Sequence, residues 1–443
     1  MSGTTPLTRR AIFDQAWPII IAQALVPTVA LVDTIVIGRT GDAAALAGVA
    51  LGASVVTLIF WAFGFLRMGM TGMTAQASGS GDGTEVRLLL LRGLLIGISI
   101  GAAIFALYPL FLQPVIQIMG APASANSEAA AYAVARMAGA PAALACFAIN
   151  GWLFGTARTK AALALQIVMN GANILFDLIL VSVFHLGPLG VGIGTASAEW
   201  LTLIVGMFIT FRVMDSPFAQ IVAEARTRLI DAEAMRRLFA VNSDIMIRTL
   251  ALLSLFTWFT HAGARQGTHE LAANHVLMQF VTLSAFVLDA FAFTAEERVG
   301  AAIGARSRDA YARSVRLTAE FTMAAGLCFT ALYFAAGGSL IRFMTTDESV
   351  RAIALVMLPY AALIPAIGGP SWLLDGIFIG ATETRAMRNA TLIVLMAYLS
   401  ADWLLRPLGN HGVWLALLGS YVARAGTLAL HLPALKRRHG LIG

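Results

Sequence analysis

Charge is what this sequence has least of. Over 443 residues only 12% are Asp, Glu, Lys or Arg, 58% are apolar, and the mean hydropathy is +0.79. A soluble domain averages about 25% charged residues because its surface must face water. Too few polar side chains exist here to coat a globule, so lipid is the solvent for most of the chain. Cysteine is nearly absent. Cys146 and Cys328 both lie inside apolar runs with no CxxC pair, which excludes a disulfide framework and a zinc site. Lys160 and Lys436 are the only lysines, and neither follows a phosphate-cradling glycine loop; HExxH and GxSxG are missing too. The expectation is a protein that is not an enzyme and carries no cofactor. A basic stripe interleaved with aromatics is also lacking, which argues against nucleic acid as a partner.

Long apolar runs are what the chain does have. A helix crossing ~30 Å of hydrocarbon needs about 20 apolar residues. Twelve runs qualify: 15–37, 46–68, 88–112, 130–154, 161–184, 189–211, 238–260, 271–295, 317–336, 352–378, 386–405 and 413–432. They are continuous rather than alternating, which selects helices over a β-barrel, the other architecture that satisfies its backbone in lipid. The first run exceeds a signal-peptide core and lacks a small-x-small exit, so it reads as a retained first helix.

The net charge of +6 has a topological origin. Arg9, Arg10, Arg158, Lys160, Arg226, Arg228, Arg236, Arg237, Arg306, Arg308, Arg385, Arg388 and Lys436–Arg438 fall at the termini or in even-numbered loops. Only Arg39, Arg265, Arg342, Arg351 and Arg406 fall in odd ones. That asymmetry follows the positive-inside rule and predicts cytoplasmic N- and C-termini.

Sliding the second half over the first gives a match at an offset of 225 residues. Leu46-Ala47 falls on Leu271-Ala272, Gly79 on Gly304, Gly155 on Gly380, Asn150 on Asp375 and Asp177 on Asp402. The predicted fold is an all-α integral membrane protein of twelve transmembrane helices in two six-helix bundles related by this repeat. The expected lobes are 1–211 and 238–443, joined by a polar, basic cytoplasmic linker over 212–237. Repeated bundles with a site near the midplane are a signature of secondary transporters.

Carboxylates inside such runs need a reason, since each costs about 2.5–3.5 kcal/mol on insertion scales. Asp33 sits in the first run and Asp177 in the fifth, each sixteen to eighteen residues after its helix start. At 1.5 Å per residue they share a depth in the outer half of the first bundle. Asn170, Asn173 and Asp177 follow i, i+3, i+7 spacing and line one helix face. Thr195 and Ser197 can add hydroxyls. Interhelical hydrogen-bond glue would account for the asparagines alone, but two acids at matched depth point to an ion site. A buried acid pair exchanges protons as a unit, and with Asn and Thr oxygens it also offers ligands for a small hard cation. A proton and Na+ both fit. Pro18 and Pro27 interrupt the first run and can serve as bend points or as a static kink. The second half holds Asp289, Asp375 and Asp402, with Arg248 and Arg424 in spans. These are secondary candidates, because Asp–Arg pairing can be purely structural. Arg136 and Arg67 read as snorkelling or capping residues, and Glu199, Asp244 and Glu320 as structural.

With Asp33, the polar stripe and the twofold repeat in place, the sequence resembles the multidrug and toxic compound extrusion (MATE) family, within it the DinF-like branch. The stretches that carry the resemblance are LVDTIVIGRTGDAAALAGVALG, GFLRMGMTGMTAQASGSGD, GTARTKAALALQIVMNGANILFDLILV with GPLGVGIGTA, DIMIRTLALL and LAANHVLMQFVTLSAFVLDAFAF. The resemblance implies a V-shaped, alternating-access transporter. Its coupling residues match Asp33, Asn173, Asp177 and Thr195, with Asn150 in the same network and Pro18 as the bending proline. It implies multidrug efflux of amphipathic, often cationic molecules in antiport with protons or Na+, by a monomer in the bacterial inner membrane. Thr294–Arg298 is more charged than the pattern, and Met68, Met70 and Met73 make their segment Met-rich. Flipping of lipid-linked precursors is the alternative transport activity; a membrane enzyme and a structural or channel-like subunit are the other classes considered.

Overall fold

The computed structural model describes residues 7–39, 43–118, 123–214 and 216–441, and these are helical almost throughout. In chain order the helices are α1 (Arg9–Gly38), α2 (Ala43–Ala62), α3 (Phe65–Gly79), α4 (Gly83–Ile118), α5 (Ala123–Met137), α6 (Ala140–Gly155), α7 (Thr159–Asp177), α8 (Gly187–Met214), α9 (Phe218–Arg228), α10 (Ala232–Ala264), α11 (Thr268–Gly304), α12 (Arg308–Met344), α13 (Glu348–Gly380), α14 (Thr384–Leu405) and α15 (Asn410–Arg438). A π-helical turn, Leu178–Val183, extends α7. Among the described residues, eleven stretches are long and apolar enough to cross a membrane, with α2 and α3 together making one. The α5–α6 pair, bent by 54°, makes up to a twelfth. The expected apolar runs fall in these stretches. Large apolar side chains such as Leu110, Phe343 and Leu430 lie exposed on the surface, as a bilayer solvent requires.

The chain forms two compact units, one of Ile21–Ala77 and Asp82–Phe239, the other of Met1–Ile20, Ser78–Gly81 and Ala240–Gly443. Their boundary in α1 falls between Pro18 and Pro27. The segment 212–237 is itself mostly helical, holding the end of α8, α9 and the start of α10.

The 225-residue repeat is written into the packing of each unit. In the first, a Cβ on Gly151 or Gly155 of α6 would meet the backbone carbonyls of Arg67 at 2.3 Å and Thr71 at 2.6 Å. In the second, a Cβ on Gly376 or Gly380 of α13 would meet those of Ala292 and Glu296, each at 2.3 Å. Every residue in one set lies 225 positions from its counterpart. Small residues let helix backbones touch, and in lipid that contact is a main source of association. The turns repeat as well: Ala157 and Thr382, just after α6 and α13, take positive φ of 58° and 55°.

Buried aromatics anchor each unit by satisfying their polar tips. Trp152 donates from Nε1 to the Val86 carbonyl at 2.8 Å in the first. Tyr333 donates to the Phe280 carbonyl at 2.7 Å, and Trp414 to Asn274 Oδ1 at 2.8 Å, in the second.

Candidate functional site

In the first unit, α1, α7 and α8 bring four polar side chains together. Asp33 is 4% exposed, Thr195 3%, and Asn173 and Asp177 are fully buried. Asn173 Nδ2 donates to Asp177 Oδ2 at 3.0 Å and to Thr195 Oγ1 at 2.9 Å. The Thr195 hydroxyl donates back to the Val191 carbonyl at 3.0 Å. Asp33 lies within hydrogen-bonding reach of both Asp177 and Asn173. The local backbone makes room for this. Gly194 lies so close to the carboxylate that a Cβ would fall 2.2 Å from Asp177 Oδ1. Asp177 is also the last residue before the π-helical turn, a distortion often found at functional sites.

The hydrogen-bond ledger of this quartet does not close with protein groups. Asn173 has spent both amide hydrogens and Thr195 its hydroxyl hydrogen. Asp33 Oδ1, Asp177 Oδ1 and Asn173 Oδ1 are buried acceptors that receive no hydrogen bond. Between two ionised carboxylates there is no donor at all. A proton shared between them, or a small cation among the free oxygens, would complete the arrangement.

Two further groups belong to this neighbourhood that sequence reading left aside. Arg136, expected to snorkel or cap, is instead buried. Its Nη1 lies 2.8 Å from Glu199 Oε2, and its guanidinium lies 5.4 Å from the Phe60 ring centroid. It also acts electrostatically on Asp33 and Asp177. Glu199, read as structural, sits mid-way along α8 in space left by Gly139, where a Cβ would fall 2.0 Å from Oε2. The available signal was complementary charge: one Arg and one Glu, each alone in an apolar run.

Asn170 Nδ2 donates to the Leu25 carbonyl and to Thr28 Oγ1, both at 2.8 Å, so α7 grips α1 on either side of Pro27. Helix α1 runs on through Pro18 and Pro27. Asn150 stands half-buried on α6, and among the described residues no hydrogen bond joins it to the quartet. In the second unit, Asp375 on α13 is ion-paired with Arg248 of α10 and Arg424 of α15. Asp289 on α11 interacts electrostatically with both arginines. Asp402 on α14 is paired with Arg265 at 2.8 Å and accepts from Trp258 Nε1 at 3.0 Å.

A bilayer-spanning helical bundle that repeats itself and keeps carboxylates buried among its helices is the build of a secondary transporter. The chain belongs to the MatE family, that of the MATE transporters, whose model matches it twice, over residues 18–179 and 245–404. The double match mirrors the internal repeat. DNA damage-inducible protein F of Escherichia coli (strain K12) is 33% identical over 438 residues, covering 97% of this chain and 92% of its own, which places the chain in the DinF-like branch. A probable multidrug resistance protein NorM of Acinetobacter baylyi is 25% identical, with 92% of each chain covered. Among solved structures, a mutant of the Vibrio cholerae MATE transporter VcmN superposes with a TM-score of 0.88 at 19% identity, covering 98% of both chains. A MATE transporter in its bent conformation gives 0.88 at 17% identity, covering 97% of both.

Proposed function

We propose that this protein exports amphipathic, commonly cationic, small molecules in exchange for an inward proton or sodium ion. The ion is loaded at Asp33, Asn173, Asp177 and Thr195. The observation that carries this reading is the approach of Asp33 to Asp177, each keeping a buried acceptor oxygen that receives no hydrogen bond. Loaded, the site is electrically and sterically content. Emptied, it holds two like charges on different helices, α1 and α7, and their repulsion favours moving one helix from the other. Asn170, bonded to α1 beside Pro27, is placed to transmit that strain, with Pro27 and Pro18 as the positions where α1 has lost backbone hydrogen bonds and can bend. Asn150 would join the network only in another state of the cycle. A monovalent cation entering at 100 mV carries about 2.3 kcal/mol, enough to bias a two-state equilibrium more than tenfold. The names of relatives such as NorM support multidrug substrates. The same reading places the protein as a monomer in the bacterial inner membrane with both termini cytoplasmic and the polar 212–237 segment linking the lobes.

Two measurements test this. Asp33→Asn is expected to abolish resistance conferred on a drug-sensitive host at unchanged expression; resistance equal to wild type would remove Asp33 from the mechanism. In proteoliposomes, ethidium export should follow either an imposed pH gradient or an imposed sodium gradient, and the gradient it follows identifies the ion. Export unaffected by both would refute ion antiport.

A further inference from the structure

The second unit contains the repeat counterpart of the quartet, and it has been rebuilt. Adding 225 to Asp33, Asn173, Asp177 and Thr195 gives Trp258, Tyr398, Asp402 and Ser420. The acid of α7 survives as an acid on α14, whereas the acid of α1 has become a tryptophan on α10. The contact between the two positions survives as well. Asp33 stands against Asp177, and Trp258 Nε1 donates to Asp402 Oδ2 at 3.0 Å. What differs is the charge. Arg265, the residue after α10, donates from Nη2 to Asp402 Oδ1 at 2.9 Å and Oδ2 at 2.8 Å, and its guanidinium lies 6.0 Å from the Trp258 ring centroid. Both oxygens of Asp402 therefore accept hydrogen bonds, where Asp33 and Asp177 each keep a buried oxygen that receives none.

We propose that Arg265 is a resident cation occupying, in the second unit, the place that the exchangeable ion occupies in the first. Asp402 therefore loads no ion, and the repeat retains a single ion-loading site. The proposal rests on the ion-loading reading of the Asp33–Asp177 site given above. A guanidinium stays protonated throughout the physiological range and offers a planar fork of donors that a carboxylate accepts from, so it neutralises permanently what a proton or sodium ion neutralises only in turn. Trp258 completes the replacement: it removes the second negative charge, supplies a neutral N–H, and presents a ring face to the cation. Among the described residues, Arg265 and, from its own helix, Tyr398 are ionisable groups that interact with Asp402. His261 of α10 packs on Trp258 with ring centroids 5.4 Å apart, and Tyr360 of α13 and His411 of α15 hydrogen-bond each other at 2.9 Å. Asp375 follows the same pattern, held between Arg248 and Arg424.

The test counts titrating carboxyls in the full-length protein in lipid nanodiscs, by infrared difference spectroscopy of the protonated-carboxyl band on a pH jump. Removing both partners, as Arg265→Gln with Asp402→Asn, should leave the wild-type signal unchanged. Arg265→Gln alone should add one carboxyl per chain, absent from the double variant, and Arg265→Lys should add none. Loss of one carboxyl in the double variant, or no gain in a folded Arg265→Gln protein, would overturn the proposal. If Arg265→Gln does not fold, the comparison of the double variant with wild type decides alone. Asp33→Asn is run alongside: a signal unchanged by it refutes the loading site in the first unit, whatever the Asp402 arms show.

Discussion

The residues that matter here are polar groups whose partners are few and fixed. Arg136 and Glu199 illustrate the energetics. Removing one partner of a buried ion pair leaves an uncompensated charge and costs about 3–5 kcal/mol, whereas replacing both is often near neutral. Arg136→Gln is therefore expected to lower the thermal denaturation temperature in detergent, and Arg136→Gln with Glu199→Gln to recover most of it. If the double variant is no more stable than the single, the pair is not what Arg136 serves. Gly194→Ala should leave expression intact and impair transport, because its Cβ claims the space of Asp177 Oδ1; transport at wild-type rate would show that the carboxylate can move aside. Asp33, Asn173 and Asp177 were legible in the sequence because an acid or amide in an apolar run is costly and helical spacing assigns its face. The Arg136–Glu199 pair was not, because its partners lie on different helices and only the packing of α5 against α8 brings them together. Arg265 counted in the sequence as one more loop cation; its bond to Asp402 depends on where the end of α10 meets α14, which charge statistics do not encode.

At the scale of elements, the helix-to-helix contacts made by glycine set the geometry. Gly155→Ala and Gly380→Ala would each push a Cβ to 2.6 Å and 2.3 Å from a backbone carbonyl, a clash that flexible side chains cannot relieve. Each should cost about 1–3 kcal/mol, as overpacking does. Gly171→Ala, with nothing within 4 Å, should cost nothing by the same thermal assay. Helix α9 is held differently, by polar contacts to α4. Arg87 donates to Glu224 at 2.5 Å and 2.8 Å, and Arg92 donates to the carbonyls of Arg228 and Leu229 at 2.8 Å and 3.1 Å, closing the C-terminal end of α9. The Arg87 guanidinium holds the Glu224 carboxyl down at about 2, below its ordinary 4.5. Since the folded value is lowered, the contribution of this pair is complete above about 4.5 and is lost as the pH falls towards about 2. Hydrogen exchange should show α9 opening in that acid window and staying closed above it, and Glu224→Gln should open it at neutral pH. An α9 equally protected in Glu224→Gln would place its anchorage elsewhere. Helix ends were the least legible elements: α11 and α12 each run 37 residues, well beyond their apolar cores, because helices continue into water where hydropathy gives no signal.

For the whole molecule, the repeat organises both structure and charge. One unit keeps a carboxylate pair with open acceptor oxygens, and the other carries arginine against Asp375 and Asp402. The repeat itself was readable as an offset of 225, since Asp177 and Asp402 mark it in the sequence. The difference in their partners was not readable, because it depends on side chains at Trp258 and Arg265 reaching one carboxylate. The central claim is that an ion moves through the Asp33–Asp177 site as substrate leaves. The most direct measurement is ion flux driven by substrate: proteoliposomes preloaded with ethidium are diluted into dye-free buffer, and proton and sodium movements are followed against the dye. The account expects an ion flux opposite to the dye in wild-type vesicles and none in Asp33→Asn or Asp177→Asn vesicles. Dye release with no accompanying ion flux in wild type, or an undiminished flux in both variants, would contradict it.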